Sequence, residues 1–477
     1  MEVVFDGSKR GLGQNPKQAF DALSREFPAL THRDLPPRRD WWLRGATAIR
    51  FVIDYVRYLE PEYADADALR ARARSRVPAP LRLLLGPLLR LGSRRLGRVL
   101  RTLEAALPVS RDLRNLIEAR RPDVVLAAPL VGLGSRQGDA LRAAAALGVP
   151  TVLPVASWDN LTNKGVIRER PTRTIVWNER QVAEAVDLHG LERARVTAVG
   201  AHTWDHWFDW RPSTTPDEFA RKTGLDRGRP FVLYVCSSSF IAGSEAGFIA
   251  DWLTRLRTSA HESLRALGVV IRPHPQNVDF WRELDLTERG VTVVFPRGGA
   301  APTDDQRKAD YFDSIFHSSA VVGINTSALA ETAIVRRPAL TLLDDRFRAT
   351  QEGTLHFSHI ADRDGLLVVA RTWEEHHAQL LDVLDDHGEH VARIERFLST
   401  FVRPRGLTTP AASLAVDEVE AAAREAVVEA RPGLLARSAS VVAVSLLQLA
   451  GPRWLWPRGR LRRPGLRARL ARLAQSS

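Results

Sequence analysis

Short apolar runs that stop at a polar turn, with a helical pattern starting at once, recur along this chain. Unalternating runs of this kind suit strands buried on both faces, and strand–turn–helix units in series demand a parallel sheet covered by helices. Asp123 to Ala128, Thr151 to Val155, Thr174 to Trp177 and Val196 to Val199 form one series. Phe231 to Cys236, Val269 to Ile271, Val291 to Phe295, Ala320 to Ile324, Leu340 to Leu343 and Leu366 to Val369 form a second. A chain of 477 residues exceeds one ordinary domain. The expectation is therefore an α/β protein with two Rossmann-like, doubly wound domains at 1–208 and 228–400. A helical insertion occupies about 41–118, and a helical, arginine-rich, amphipathic tail runs over 410–477.

In such sheets ligands bind outside the carboxyl ends of the strands. The richest turn of this kind is Asn325-Thr326-Ser327, between the Ala320 strand and an Ala/Leu/Glu-rich helix. Backbone N–H groups, the positive end of a helix dipole and two hydroxyls suit phosphate oxygens there. Glu331, one turn deeper on the same face, could reach a ribose hydroxyl. The same residues also suit an ordinary helix cap with no ligand. A second turn, IRPHPQN at Ile271 to Asn277, offers Arg272 as a planar fork for phosphate and His274 as a hydrogen-bond donor or proton carrier. A purely structural histidine is the competing account. Ser237 and Ser238 put further hydroxyls at the end of the Phe231 strand, and the loop ASWDNLTNKG at Ala156 to Gly165 is dense in donors and acceptors.

RPHP followed by GINTSALAETAIVRRPAL resembles the nucleotide-binding half of GT-B-type transferases, especially the CDP-glycerol glycerophosphotransferase group. More distantly it is similar to UDP-sugar epimerase-like and capsule glycosyltransferase proteins. The opening VVFDGSKRGLGQNPKQAFDAL is similar to the start of those glycerophosphotransferases, and the resemblance covers roughly residues 1–30 and 120–360. It implies a GT-B-like fold and a donor diphosphate in contact with His274, Thr326 and Ser327.

Net charge is +12, but it is unevenly placed. Arg70 to Arg101 holds ten arginines and no acid, and the stretch after Ala430 holds ten more, again without an acid. The rest of the chain therefore carries −8, the total less those twenty. An acidic body with two arginine-rich, leucine-rich segments suits docking on an anionic surface, lipid before nucleic acid, because the basic runs are amphipathic and bring no base-stacking platform. A solvated helical insertion is the plainer account of the first segment. In the second, the apolar part from Ala439 to Ala450 is about 12 residues long, short of the roughly 20 that span a bilayer. With Trp454, Trp456 and arginines behind it, this segment reads as lying on a membrane.

Several chemistries fall away. Gly11-Leu12-Gly13 lacks the third glycine of a dinucleotide fingerprint, and no GxSxG elbow is present. A single cysteine, Cys236, forms neither a disulfide framework nor a cysteine zinc cluster, and no export signal opens the chain, so the expectation is a cytoplasmic protein, peripheral on the inner face of the membrane. His202, Asp205 and His206 stand among four aromatic residues, which favours packing over metal binding. No cofactor, metal or nucleic acid is called for. The resulting reading is a transferase that moves a glycosyl or glycerol-phosphate group from a nucleotide diphosphate donor to an envelope glycan or lipid-linked acceptor. Arg272, Asn325, Thr326, Ser327, Glu331, Ser237 and Ser238 hold the donor. His274 acts in catalysis by neutralising, with Arg272, Thr326 and Ser327, charge developing on the diphosphate leaving group. Asp159, with Asp6 as second choice, is the general base. A sugar-nucleotide epimerase and a non-catalytic nucleic-acid-binding protein are the alternatives.

Overall fold

The computed structural model of the chain describes residues 1–5, 16–36, 38–243, 245–275, 281, 291–294, 305–385, 388–427, 433, 438–442 and 445. Asp6, the Gly11-Leu12-Gly13 loop, Asn277, Trp454, Trp456 and nearly all of the basic tail lie outside the described residues.

The described strands are all parallel and fall into three sheets. β1 (Glu2–Phe5) pairs only with β2 (Thr31–Asp34), a strand inside a stretch whose prolines and arginines suggest loop. β3 (Val125–Leu126), β4 (Thr151–Pro154), β5 (Arg173–Val176) and β6 (Val196–Ala198) make a four-stranded sheet in sequential order. The six-stranded sheet holds β7 (Phe231–Val235), β8 (Gly268–Arg272), β9 (Val291–Val293), β10 (Ala320–Gly323), β11 (Ala339–Leu342) and β12 (Val368–Ala370). Its order, β9-β8-β7-β10-β11-β12, is the doubly wound order, and the reversal falls between β7 and β10. That is the place where the connections leave on opposite faces and a crevice opens.

Every residue of β7, β10 and β11 is buried, as their unbroken apolar runs require. Side chains alternate between two cores. Leu233, Val235, Val270 and Val321 join Trp158, Trp177, Trp204, Trp207, Phe397 and Phe401. Val232, Tyr234, Val269, Ile271 and Val322 join Phe248, Trp252 and Leu380 on the other face. The linker helix Pro216–Thr223 is fixed at its start by a capping box between Thr215 and Glu218 and at its end by Gly224, at φ 74°.

By compactness the chain divides into one unit of 1–38, 61–69 and 109–429, which holds all three sheets, and a second of 39–60, 70–108 and 430–477. Within the first unit, the helix Ala411–Ala423 is part of the body rather than of a tail. Leu414, Ala415, Val419 and Ala422 pack on Val152 and Ile175 of the four-stranded sheet and on Val199 just beyond β6, and Arg173 on β5 ion-pairs with Glu418 and Glu425. Gly200, at φ 114°, lets this return pass, because a Cβ there would sit 2.8 Å from both Ala411 Cβ and the Val402 carbonyl oxygen.

Among the described residues of the second unit, the helices Leu43–Arg57, Ala79–Leu88 and Ser93–Ala105 surround Val52, Val56, Val77, Leu85 and Leu96. Gly86-Pro87 is the pair in this stretch most apt to break a helix, yet the break does not come there. Pro87 is carried in the last turn of Ala79–Leu88, and the chain turns at Gly92, which takes φ 83°. A buried ion pair, Arg50 Nε to Glu104 Oε1 at 2.7 Å, ties the first and last of these helices.

Candidate functional site

At the carboxyl edge of the doubly wound sheet lies a cavity of about 650 Å³. The ends of β7, β8 and β10 supply Val235, Cys236, Arg272, His274, Thr326, Ser327 and Glu331. The helix Asp305–Phe316 adds Arg307, Lys308, Asp310 and Tyr311, and the segment after β6 closes the opposite side with Trp204, His206, Trp207 and Trp210. One side is thus cationic and rich in hydroxyls, the other aromatic.

Of the residues expected at the site, Arg272, His274, Thr326, Ser327 and Glu331 do converge on this cavity. Thr326 is extended, at φ −148°, and its side chain makes no capping bond. Ser327 Oγ accepts from Trp158 Nε1 at 3.0 Å, which leaves its own proton to be donated elsewhere. Arg272 is steered from below: Nη1 donates to the Asp310 carbonyl at 2.9 Å and to Ser314 Oγ at 2.6 Å, and the guanidinium stands 5.4 Å from the centre of the Tyr311 ring. Burial pulls the pKa of both Arg272 and His274 down, which favours a neutral imidazole at His274 near pH 7.

Glu331 does not stand ready for a ribose alone. Tyr311 donates its hydroxyl to Glu331 Oε2 at 2.7 Å, and burial lifts the carboxyl to about 7 against the lowering effect of that bond. Tyr311, which no motif in the sequence marks, therefore lines the cavity beside Glu331.

Four expected residues lie elsewhere. Asn325 is buried, and its amide donates to the Thr350 carbonyl at 2.6 Å while its backbone N–H donates to Ser237 Oγ at 3.3 Å. Ser237 is fully buried, and its N–H meets both oxygens of Glu245 at 3.1 and 2.8 Å. Ser238 turns the chain, its carbonyl accepting from Ile241 and Ala242. These three hold the β7 and β10 turns together and do not wall the cavity. Asp159 is also absent from the wall. Burial alone would raise its pKa, but Lys164 at 3.6 Å, His356, and bonds from Ser157 and Asn163 outweigh that and hold it at about 2. A carboxylate so strongly stabilised has little drive to take a hydroxyl proton at neutral pH.

The helix after the turn is also shorter than its composition suggests, running only from Ser327 to Glu331 before irregular turns. A single turn has little dipole, so any anion here would rely on the hydroxyls, the backbone N–H groups and the cations across the cavity. The metal reading of His202, Asp205 and His206 does not assemble. Asp205 accepts from Arg403 Nη2 at 2.6 Å and from the Ala412 N–H at 2.6 Å, while His206 packs against Trp210.

A doubly wound sheet whose carboxyl edge faces, across a cavity, residues carried by a second parallel sheet defines a GT-B-like α/β fold. Against models of protein families and against curated proteins the sequence finds no match. Among solved structures it is similar to a UDP-GlcNAc 2-epimerase from Methanocaldococcus jannaschii, with a TM-score of 0.42, 12% identity and coverage of 66% of this chain and 81% of that one. A glycosyltransferase from Rickettsia africae ESF-5 gives a TM-score of 0.43 at 10% identity, covering 68% and 82%. The wall teichoic acid polymerase TagF soaked with CDPG gives 0.36 at 12%, covering 58% and 68%. At these scores the likenesses carry no argument about activity, and the chemistry of the cavity has to carry it instead.

Proposed function

We propose that the cavity binds a nucleoside diphosphate donor and that the protein transfers its glycosyl or glycerol-phosphate group to an envelope glycan or lipid-linked acceptor. The supporting observation is the placement of Arg272, His274, Thr326 and Ser327 together at the reversal point between β7 and β10. Hydroxyl protons of Thr326 and Ser327, the guanidinium of Arg272 and the imidazole of His274 would meet the diphosphate, where negative charge grows as the bond to the transferred group breaks. The aromatic side would take a flat or apolar ring of the donor or acceptor. In this reading Asp159 supports the loop that carries Trp158 and is not the base.

A second reading, a sugar-nucleotide epimerase, draws support from Glu331 and Tyr311, because a carboxyl near pKa 7 can hold or release a proton inside the cavity. One measurement tests both readings and a second separates them. Thermal shift with UDP, CDP, GDP and ADP should show at least one nucleoside diphosphate raising the apparent melting temperature by mass action. The cognate sugar nucleotide is then incubated in D2O with no acceptor: an epimerase incorporates deuterium into the sugar, and a transferase leaves its carbon-bound hydrogens alone. No shift with any nucleotide, together with no loss on Arg272→Ala, would remove both readings.

A further inference from the structure

The helical unit carries a surface that the cavity does not explain. In the helix Ala79–Leu88, Leu81 and Leu85 turn inward to Phe51, Val52, Val56 and Leu96, as an amphipathic helix should. Yet Leu83, Leu84 and Leu88 on its outer side are 82%, 60% and 44% exposed, and Val99 on Ser93–Ala105 is 54% exposed. Apolar side chains this open and this close in sequence are unusual on a surface with nothing to cover them. Around them stand Arg82, Arg90, Arg95 and Arg98, all exposed and with no ion pair or hydrogen bond from their guanidinium groups among the described residues. No acidic residue lies between Arg70 and Arg101.

We propose that this face docks on a bilayer containing anionic lipid, with Leu83, Leu84 and Leu88 entering the acyl boundary and the four arginines meeting lipid phosphates. The charge argues for this occupant: unpaired guanidinium groups beside exposed leucines fit an anionic headgroup layer above hydrocarbon, whereas an acidic protein surface would leave the leucines without a matching apolar depth. None of the described helices is long and apolar enough to cross a membrane, so the contact is one of lying on the surface. The proposal depends on neither the tail nor the reading of the cavity, because it rests on the side chains of 82–99 alone.

The test is co-flotation of the full chain with vesicles of phosphatidylglycerol and phosphatidylcholine in equal parts, against vesicles of phosphatidylcholine alone, at low and high salt. Wild type should float with the anionic vesicles and lose binding as salt rises. Leu83→Glu/Leu84→Glu should cut partitioning at least about tenfold, by loss of apolar burial. Arg82→Gln/Arg90→Gln/Arg95→Gln/Arg98→Gln should cut it by about fivefold for each charge removed. These positions are exposed, and an unchanged circular dichroism spectrum and thermal melt establish that a loss of flotation is not unfolding. Flotation of both variants equal to wild type overturns the proposal. So does a wild type that sediments as a dimer which Leu83→Glu/Leu84→Glu dissociates, because the leucines would then belong to a second copy of the chain. A wild type that floats without turning over any donor would instead count only against the reading of the cavity.

Discussion

Removing the Ser327 hydroxyl tests how the cavity is built and what its turn does. In the wild type, Trp158 Nε1 donates to Ser327 Oγ at 3.0 Å, and the Trp158 ring is 2% exposed and packs 5.0 Å from His356. Ser327→Ala deletes the acceptor and leaves the indole N–H without its partner, a loss of about 1–3 kcal/mol if no water replaces it. Trp158→Phe deletes the donor and shrinks a packed side chain, for an expected cost of about 1–3 kcal/mol. Because each single change breaks the same bond, the double variant should be more stable than additivity predicts by about 0.5–1.5 kcal/mol. Urea unfolding of the four proteins measures this. Turnover separates a second role: under the proposed function Ser327→Ala also removes a donor to developing charge and should slow transfer on the order of 10²–10³, whereas Trp158→Phe leaves that hydroxyl in place and should slow it less. A coupling energy near zero would refute the bond as a tie between the β4 loop and the β10 turn. Equal rate losses in the two single variants would mean that the serine positions the loop and does not act on the substrate.

Glu245, lifted from an ordinary 4.5 to about 8 by burial against the favourable bonds from Ser237 and Tyr234, keeps its proton in the folded state. A carboxyl whose folded pKa is raised makes stability fall as pH rises from about 4.5 to about 8 and then level off. Glu245→Gln should flatten that decline in melting temperature, leaving the smaller slope due to Glu331, and an unchanged slope would show that Glu245 is ionised throughout. Asp159→Asn should cost about 1–3 kcal/mol in urea unfolding, through the loss of charge-assisted bonds to Lys164 and Asn163. It should not move the pH dependence of turnover near neutrality, and a shifted acid limb would restore Asp159 as the base.

The sheets were legible because their strands are apolar without alternation, which fits a parallel strand under helices on both sides and little else. β10 is the clearest case, with Ala320 to Gly323 wholly buried. β2 was not legible, because Thr31 to Asp34 has no apolar run and is a strand only through its pairing with β1. The place of Ala411–Ala423 was hidden for a related reason: its Ala-rich composition says helix, and only the four-stranded sheet supplies the partner for Leu414 and Val419.

The site was half legible, and the half that was missed obeys one rule. A sequence shows that a strand ends in polar residues, but each such turn spends some of them on holding itself against neighbouring segments. At β10 the division falls inside three consecutive residues: Asn325 is spent on Thr350 and Ser237, while Thr326 and Ser327 open on the cavity. At β7, Ser237 is spent on Glu245 and on the Asn325 N–H, while the Ser238 carbonyl closes the following turn. The polar loop after β4 is likewise consumed by its own Asp159, with Asn160, Asn163 and Lys164 gathered around one carboxylate. What that loop offers the β10 turn is its one aromatic residue, Trp158, through a single indole N–H. Strand order decides among turns that look alike in sequence. Since the reversal lies between β7 and β10, Thr326 and Ser327, which clear the β10 turn, and Arg272 and His274 from β8 line one side of the cavity.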